Sequence, residues 1–197
     1  MHLNLSVDFT SLAFWGGVPS TFFLLRYAVQ LLRREAPPTG LASFLMWTIL
    51  DSLLLVNTVR NGQPVWLPLG WVLGAGSVTI ALRIRGKWAW TGRETLALVG
   101  ATIATIVSML ASGRWGLVAS TTAMLTASIP VTSDNLKSPV RATFMIWFTT
   151  VIACAISLLG SDWSFDGTFL QWSSLIYNGA MSIIVLRRPK AAITAAM

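Results

Sequence analysis

Seven apolar runs follow one another along the 197-residue chain, with short polar segments between them. Their approximate limits are 11–32, 41–59, 65–83, 94–112, 115–132, 141–160 and 168–187. Crossing the hydrocarbon core of a bilayer takes about 20 apolar residues in helical form. The separators read RREAPPTG, RNGQP, RIRGKWAWTGRE, SGRW, TSDNLKSP and GSDWSFDG. Proline, glycine and charge, the punctuation of helices, gather in them. The runs are too long for barrel strands, and a helix satisfies its own backbone groups inside hydrocarbon. The fold class predicted is all-α: a polytopic membrane protein with seven transmembrane helices.

Composition agrees with the pattern. Apolar residues make up 54% of the chain and charged residues only 11%, against about 25% charged in a soluble domain. Mean hydropathy is +0.68. The net charge of +7 and pI near 10.8 do not indicate a nucleic-acid binder, because such a protein needs a solvated, charged surface. One cysteine, Cys154, excludes an internal disulfide, and one histidine, His2, excludes a His/Cys metal cluster. No cofactor is expected. Residues 1–10 lack a basic n-region, so no cleavable signal peptide is read there.

The basic residues then sort by side. Alternate connections hold Arg33 and Arg34; Arg83, Arg85, Lys87 and Arg93; Lys137 and Arg141; and Arg187, Arg188 and Lys190. The other side holds only Arg60 and Arg114, and Arg26 lies within the first run. This bias predicts an outside N-terminus and a cytoplasmic C-terminus in the plasma (cytoplasmic) membrane. It also supports an odd number of crossings. Asp8, Asp162 and Asp166 fall on the outer side. Trp15, Trp66, Trp88, Trp90, Trp115 and Trp163 lie near predicted ends, as an interfacial belt would.

The chain also repeats itself. Residues 15–47 and 115–147 align at an offset of 100 without a gap, with nine identities in 33 positions, among them Trp15/Trp115, Ser20/Ser120, Phe44/Phe144 and Trp47/Trp147. The match continues loosely with one inserted residue, pairing Trp71 with Trp172 and IALRIRGK with IIVLRRPK. This divides the chain into a three-helix repeat over 1–92, a linker helix over 93–113 and a second three-helix repeat over 114–197. Three spans would invert the second copy, and the linker span restores it. The repeats are therefore parallel, about an axis along the membrane normal, an arrangement known in transporters with a site near the midplane.

With these features the sequence resembles the SWEET/PQ-loop family of seven-helix membrane transporters, in a divergent, bacterial-type form. The family has a 3+1+3 arrangement and a Pro-Gln pair near the cytoplasmic end of the first helix of each repeat. Here Val29-Gln30 and Ile129-Pro130 stand at those places, each keeping half of the pair. The resemblance implies transport of a sugar or similar small polar metabolite by alternating access. It assigns Gln30 and Pro130 to a cytoplasmic gate. Arg26, one turn before Gln30, would share that lining if its face points inward; otherwise it snorkels to the interface. Sugar transporters of the family carry an asparagine in the third helix of each repeat. Only the second has one here, Asn178, with Ser77 opposite it at an offset of 101.

The sharpest residue is Asp51, in the middle of the second run. A carboxylate at mid-membrane costs roughly 2.5–3.5 kcal/mol and usually faces a bundle interior or wet cavity. Trp47, four residues earlier, shares its face. Together they suit a planar, cationic or polyhydroxylated solute. The alternative is a structural pair between Asp51 and Arg26. Repeat two has Val151 at the matching place. Tyr177 and Asn178 lie mid-way along the seventh run, where polar groups bind solute or join helices. Gly74, Gly76 and Gly179 permit close helix approach.

The expected substrate-binding set is thus Trp47, Asp51, Ser77, Trp147, Tyr177 and Asn178, with Arg26, Gln30 and Pro130 at a gate. No catalytic pair is found, so an enzyme is not expected. The expected partners are a small polar solute and the lipid bilayer, and an exposed helix face would suit a homo-oligomer. Transport would run by facilitated diffusion, or with proton coupling through Asp51. The second reading is a non-transporting receptor or assembly protein of the same fold.

Overall fold

The computed structural model describes residues 12–38, 40–60, 66–85, 90, 92–111, 113–159, 163 and 165–187. His2, Asp8, Lys87, Trp88, Asp162, Arg188 and Lys190, which enter the sequence readings above, lie outside them.

Every regular element among the described residues is helical. In chain order these are α1 (Leu12–Leu32), α2 (Leu41–Arg60), α3 (Trp66–Ile84), α4 (Gly92–Leu110), α5 (Gly113–Ala127), α6 (Ile129–Lys137), a 3-10 turn (Arg141–Thr143), α7 (Phe144–Leu159) and α8 (Phe165–Leu186). Three segments are long and apolar enough to cross a membrane: Gly92–Leu110, Arg141–Leu159 and Thr168–Leu186. Shorter apolar stretches cover Leu41–Val56 and Pro68–Ile84. Many large apolar side chains point outward from the helices, among them Phe22, Ile49, Leu73, Ile80, Leu96, Ile103, Leu110, Ile176 and Ile183. An apolar exterior this extensive suits lipid rather than water.

The fifth apolar run departs from expectation. Most of TSDNLKSP is not a loop: helix continues to Lys137 as α6, and only Ser138 and Pro139 lie beyond it. A turn at Ser128 separates α5 from α6. Pro130 explains it, because proline has no N–H to give to a carbonyl one turn back. The Ser128 N–H bonds Leu125 O at 3.1 Å in a tighter turn, and the Thr132 N–H resumes the helical ladder to Ser128 O at 3.0 Å. Pro19 causes no such break. It lies inside α1, where Ser20 and Thr21 hydroxyls both donate to Gly17 O.

Packing follows one plan twice. Helix α3 packs on both α1 and α2, and α8 packs on α5, α6 and α7. Across the two groups, α1 meets α7 and α2 meets α5, while α4 lies against α2, α5 and α6. In α1 and α3 the close contacts run in step. Gly70 faces Gly17 and Thr21, and Gly74 faces Leu24, while further along Arg85 donates to Leu31 O at 2.6 Å. The two helices are therefore parallel. A Cβ at Gly74 would lie 2.8 Å from Leu24 Cβ, which makes this glycine a packing requirement. Gly76 meets Thr48 only at an ordinary 3.6 Å, and Gly179 has nothing within 4 Å. The expectation of close approach holds for Gly74 alone of the three.

Several positions 100 apart share burial, although Ala42 is buried and Ala142 exposed. At an offset of 100, Tyr27/Ala127, Ala28/Ser128, Leu31/Val131, Ser43/Thr143 and Met46/Ile146 are buried in both copies. In the third helices burial does not single out one register: an offset of 100 aligns the buried residues Val78/Asn178, Ala81/Met181 and Leu82/Ser182, and an offset of 103 aligns Ala75/Asn178, Val78/Met181 and Leu82/Val185. IALRIRGK and IIVLRRPK stand at the spacing of 103. Trp71 and Trp172, paired at 101, differ sharply, with exposures of 8% and 44%.

The basic helix ends come together. Arg85 reaches the end of α1, and Arg93 at the start of α4 bonds Ser133 and Asp134 of α6, the latter at 3.4 Å. The α1–α2 connection is tied down at this end. Arg34 sits at φ +64°, a left-handed position usually given to glycine at a helix C-terminus. Gln30 O accepts from the N–H groups of Glu35 and Ala36. Tyr27 Oη donates to Pro37 O at 2.9 Å.

Candidate functional site

A cavity of about 90 Å³ lies between the two helix groups. Each wall is one face of a helix. Helix α5 contributes Thr121, Met124, Leu125 and Ser128, spaced as one helical stripe. Helix α8 contributes Leu170, Ser173, Ser174, Tyr177 and Asn178 in the same manner. Trp47 and Asp51 come from α2, Trp71 and Ala75 from α3, Ile146, Trp147 and Thr150 from α7, and Leu24 from α1.

Five of the six expected binding residues therefore meet here: Trp47, Asp51, Trp147, Tyr177 and Asn178. Ser77 does not. Its hydroxyl donates back to Leu73 O at 2.7 Å, away from the cavity lining. At 3.6 residues per turn, Ser77 stands about 200° around α3 from Ala75. The pairing of Ser77 with Asn178 fails because Trp71 and Ala75, not Ser77, are the α3 residues that line the cavity.

The gate residues separate as well. Arg26 is exposed and absent from the lining, and no ion pair joins it to Asp51 among the described residues. The inward gate lining and the structural Asp51–Arg26 pair are both corrected by this placement. Gln30 is half-buried, with its carbonyl capping α1. Pro130 is buried at the start of α6, beside the cavity floor.

That floor is aromatic. The Phe44, Trp47, Trp147 and Tyr177 rings meet edge to face in sequence, with centroids 5.1, 5.8 and 6.1 Å apart. Edge-to-face geometry sets the positive ring edge against the negative face. Their polar atoms are used to hold the layer. Trp47 Nε1–H donates to Ser128 Oγ at 3.1 Å and to Met124 O at 3.4 Å. Met124 O is the carbonyl that an unbroken helix would give to the Ser128 N–H. The Pro130 break thus presents the acceptor that Trp47 takes. Trp147 Nε1–H donates to Thr143 Oγ1 at 3.0 Å, and Tyr177 Oη pairs with Thr132 Oγ1 at 3.1 Å. Just below, the Val131 N–H, an orphan donor in the first turn of α6, donates to Ser43 Oγ of α2 at 3.1 Å. The layer closes the cavity toward the basic end of the bundle.

The cavity interior is different. Asp51 is 4% exposed, and its Oδ1 has no hydrogen-bond partner. It is the sole charged side chain in the described lining. Trp71 Nε1 and Thr121 Oγ1 are likewise buried without partners. Buried polar atoms are nearly always paired, so three unsatisfied atoms on residues lining one cavity mark a place built for something else. Sequence reasoning did not assign Trp71, Thr121 or Ser128 to the site. The available signal was the stripe Ser173, Ser174, Tyr177 and Asn178 on α8, with Thr121 and Ser128 seven apart on α5.

No protein-family model matches the chain, no curated protein is significantly similar to it, and no solved structure matches it. Among the described residues no group of His, Cys, Asp and Glu is placed to hold a metal ion.

Proposed function

We propose that this chain is a small-solute transporter of the membrane, working by alternating access between two three-helix units. One observation carries the reading. A cavity with unsatisfied polar atoms lies between helix groups that follow the same packing plan, and it is closed on one side by aromatic rings from both groups. Trp47 and Trp147, which align at the repeat offset, meet at the centre of that closed layer. Opening requires the α2–α5 and α2–α6 contacts to part, which means releasing Trp47 from Ser128 and Met124, and Ser43 from Val131. Those are few hydrogen bonds, each with a net worth of about 1 kcal/mol, a scale suited to a gate.

Under this reading the seven apolar runs, with α5 and α6 as one bent crossing, form a 3+1+3 arrangement in the plasma membrane. The basic ends, and so the aromatic floor, face the cytoplasm. Facilitated diffusion needs nothing further, and a buried carboxylate in the path also suits proton coupling. The resemblance to the SWEET/PQ-loop family belongs to this proposal.

The test is uptake into proteoliposomes over a panel of labelled solutes. Saturable uptake of one solute supports transport. Absence of uptake for every solute, from protein shown to be folded, turns the reading toward a receptor that binds in the same cavity.

A further inference from the structure

We propose that the central cavity selects solutes carrying an ammonium group, with Asp51 as the counter-charge; this deepens the transporter reading and rests on the same cavity. Asp51 faces the cavity without a counter-charge among the described residues. Its Oδ1 is buried and unpartnered, Arg26 is exposed elsewhere, and no lysine, arginine or histidine lines the cavity among the described residues. Removing one partner from a buried pair leaves an expensive uncompensated charge. A neutral polyol offers Asp51 donors but no charge. An ammonium group offers both.

The rest of the lining fits such a solute. Trp47, Trp71, Trp147 and Tyr177 bring aromatic rings to the lining, and ring faces attract cations, tryptophan most of all. The indole hydrogens of Trp47 and Trp147 are already spent on Ser128 and Thr143, and the Tyr177 hydroxyl is paired with Thr132, so the floor offers rings rather than free donors. The two other unpartnered atoms, Trp71 Nε1 and Thr121 Oγ1, supply an N–H and a hydroxyl. They suit a second polar group, a hydroxyl or carbonyl oxygen, on the same solute. Small amino alcohols and amino amides meet all three requirements, and simple sugars meet only the last.

The test compares solutes of equal size and different charge on purified protein. Ethanolamine is titrated beside ethylene glycol, and 1,4-diaminobutane beside 1,4-butanediol, by calorimetry. Glucose completes the panel. The expected result is binding of the amines at least about tenfold tighter than their glycol counterparts, a preference of roughly 1.4 kcal/mol. Asp51→Asn, of the same shape, abolishes the preference. Asp51→Glu keeps it at lower affinity, which separates loss of charge from loss of fold. Thr121→Val weakens ethanolamine more than ethylamine. Equal binding of amines and glycols, tighter binding of glucose, no binding of any amine, or an amine preference that survives Asp51→Asn overturns the inference. Failure of the transport reading looks different: amine-selective binding without uptake leaves the inference standing, and uptake of a neutral solute without amine preference leaves transport standing alone.

Discussion

Trp47 and Trp147 stand one hundred positions apart in the chain, and their rings meet edge to face with centroids 5.8 Å apart. Each indole N–H has a hydroxyl to bond, but the two partners differ in reach. Trp147 bonds Thr143 on the preceding turn, whereas Trp47 crosses to Ser128 and Met124 on α5. The twofold likeness of the sequence thus ends in an unequal pair, one ring anchored locally and the other bridging the two helix groups.

Trp47→Phe keeps a ring against Trp147 and Phe44 and removes the bridging donor. The expected loss is about 1 kcal/mol of stability, read as a lower midpoint in denaturant unfolding in detergent. Trp147→Phe removes only a local bond. Its effect on the contact between the groups, read by distance measurements between labels on α2 and α5, should be the smaller.

Two glycines should behave in opposite ways. Gly74→Ala forces a methyl to within 2.8 Å of Leu24 Cβ and should cost roughly 1–3 kcal/mol as overpacking. Gly179→Ala meets nothing within 4 Å and should gain up to about 1 kcal/mol through helix propensity. Unfolding midpoints of the two variants beside the parent protein decide the matter.

Arg34 holds a left-handed backbone conformation at φ +64° in the cap that ends α1. Arg34→Gly should stabilise the folded chain by about 1 kcal/mol, since glycine adopts this conformation without the Cβ penalty. A lower unfolding midpoint in the glycine variant would contradict the cap geometry.

In the uptake assay, Asp51→Asn should reduce transport of the preferred solute by about tenfold or more, the scale of a lost charge-assisted hydrogen bond. Ser77→Ala should leave uptake within about twofold of the parent, because a group outside the cavity contributes little. Equal losses in both variants would mean that α3 turns a different face to the solute path.

Cys154 is fully buried on α7, and it is the chain's sole thiol. Maleimide labelling, followed by mass spectrometry, should be slow in the native state and become complete once denaturant opens the bundle. Fast labelling without denaturant would show that the α7 face is not packed as described.

Much of the site could be read from the chain because depth in a membrane helix follows from counting residues. Asp51, Trp47, Tyr177 and Asn178 stood out as polar or aromatic groups far from any helix end, and they meet. Ser77 stood at a similar depth and does not join them. Depth fixes the position along a helix axis, but the side that faces inward depends on rotation about it, which only neighbouring helices set. Leu24 against Gly74 fixes that rotation for α3, bringing Trp71 and Ala75 inward.

What the sequence determined by itself is the set of long apolar runs, the likeness of residues 15–47 to 115–147, and the clustering of basic residues at alternate connections. These follow from composition and spacing, which are one-dimensional. Tertiary structure decided the rest. It broke the fifth run at Ser128, turned Ser77 away from the cavity, turned Arg26 outward and left Asp51 Oδ1 without a partner. Each of these depends on which atoms lie across a gap from one another. A chain read residue by residue contains no such distances, and packing alone supplies them.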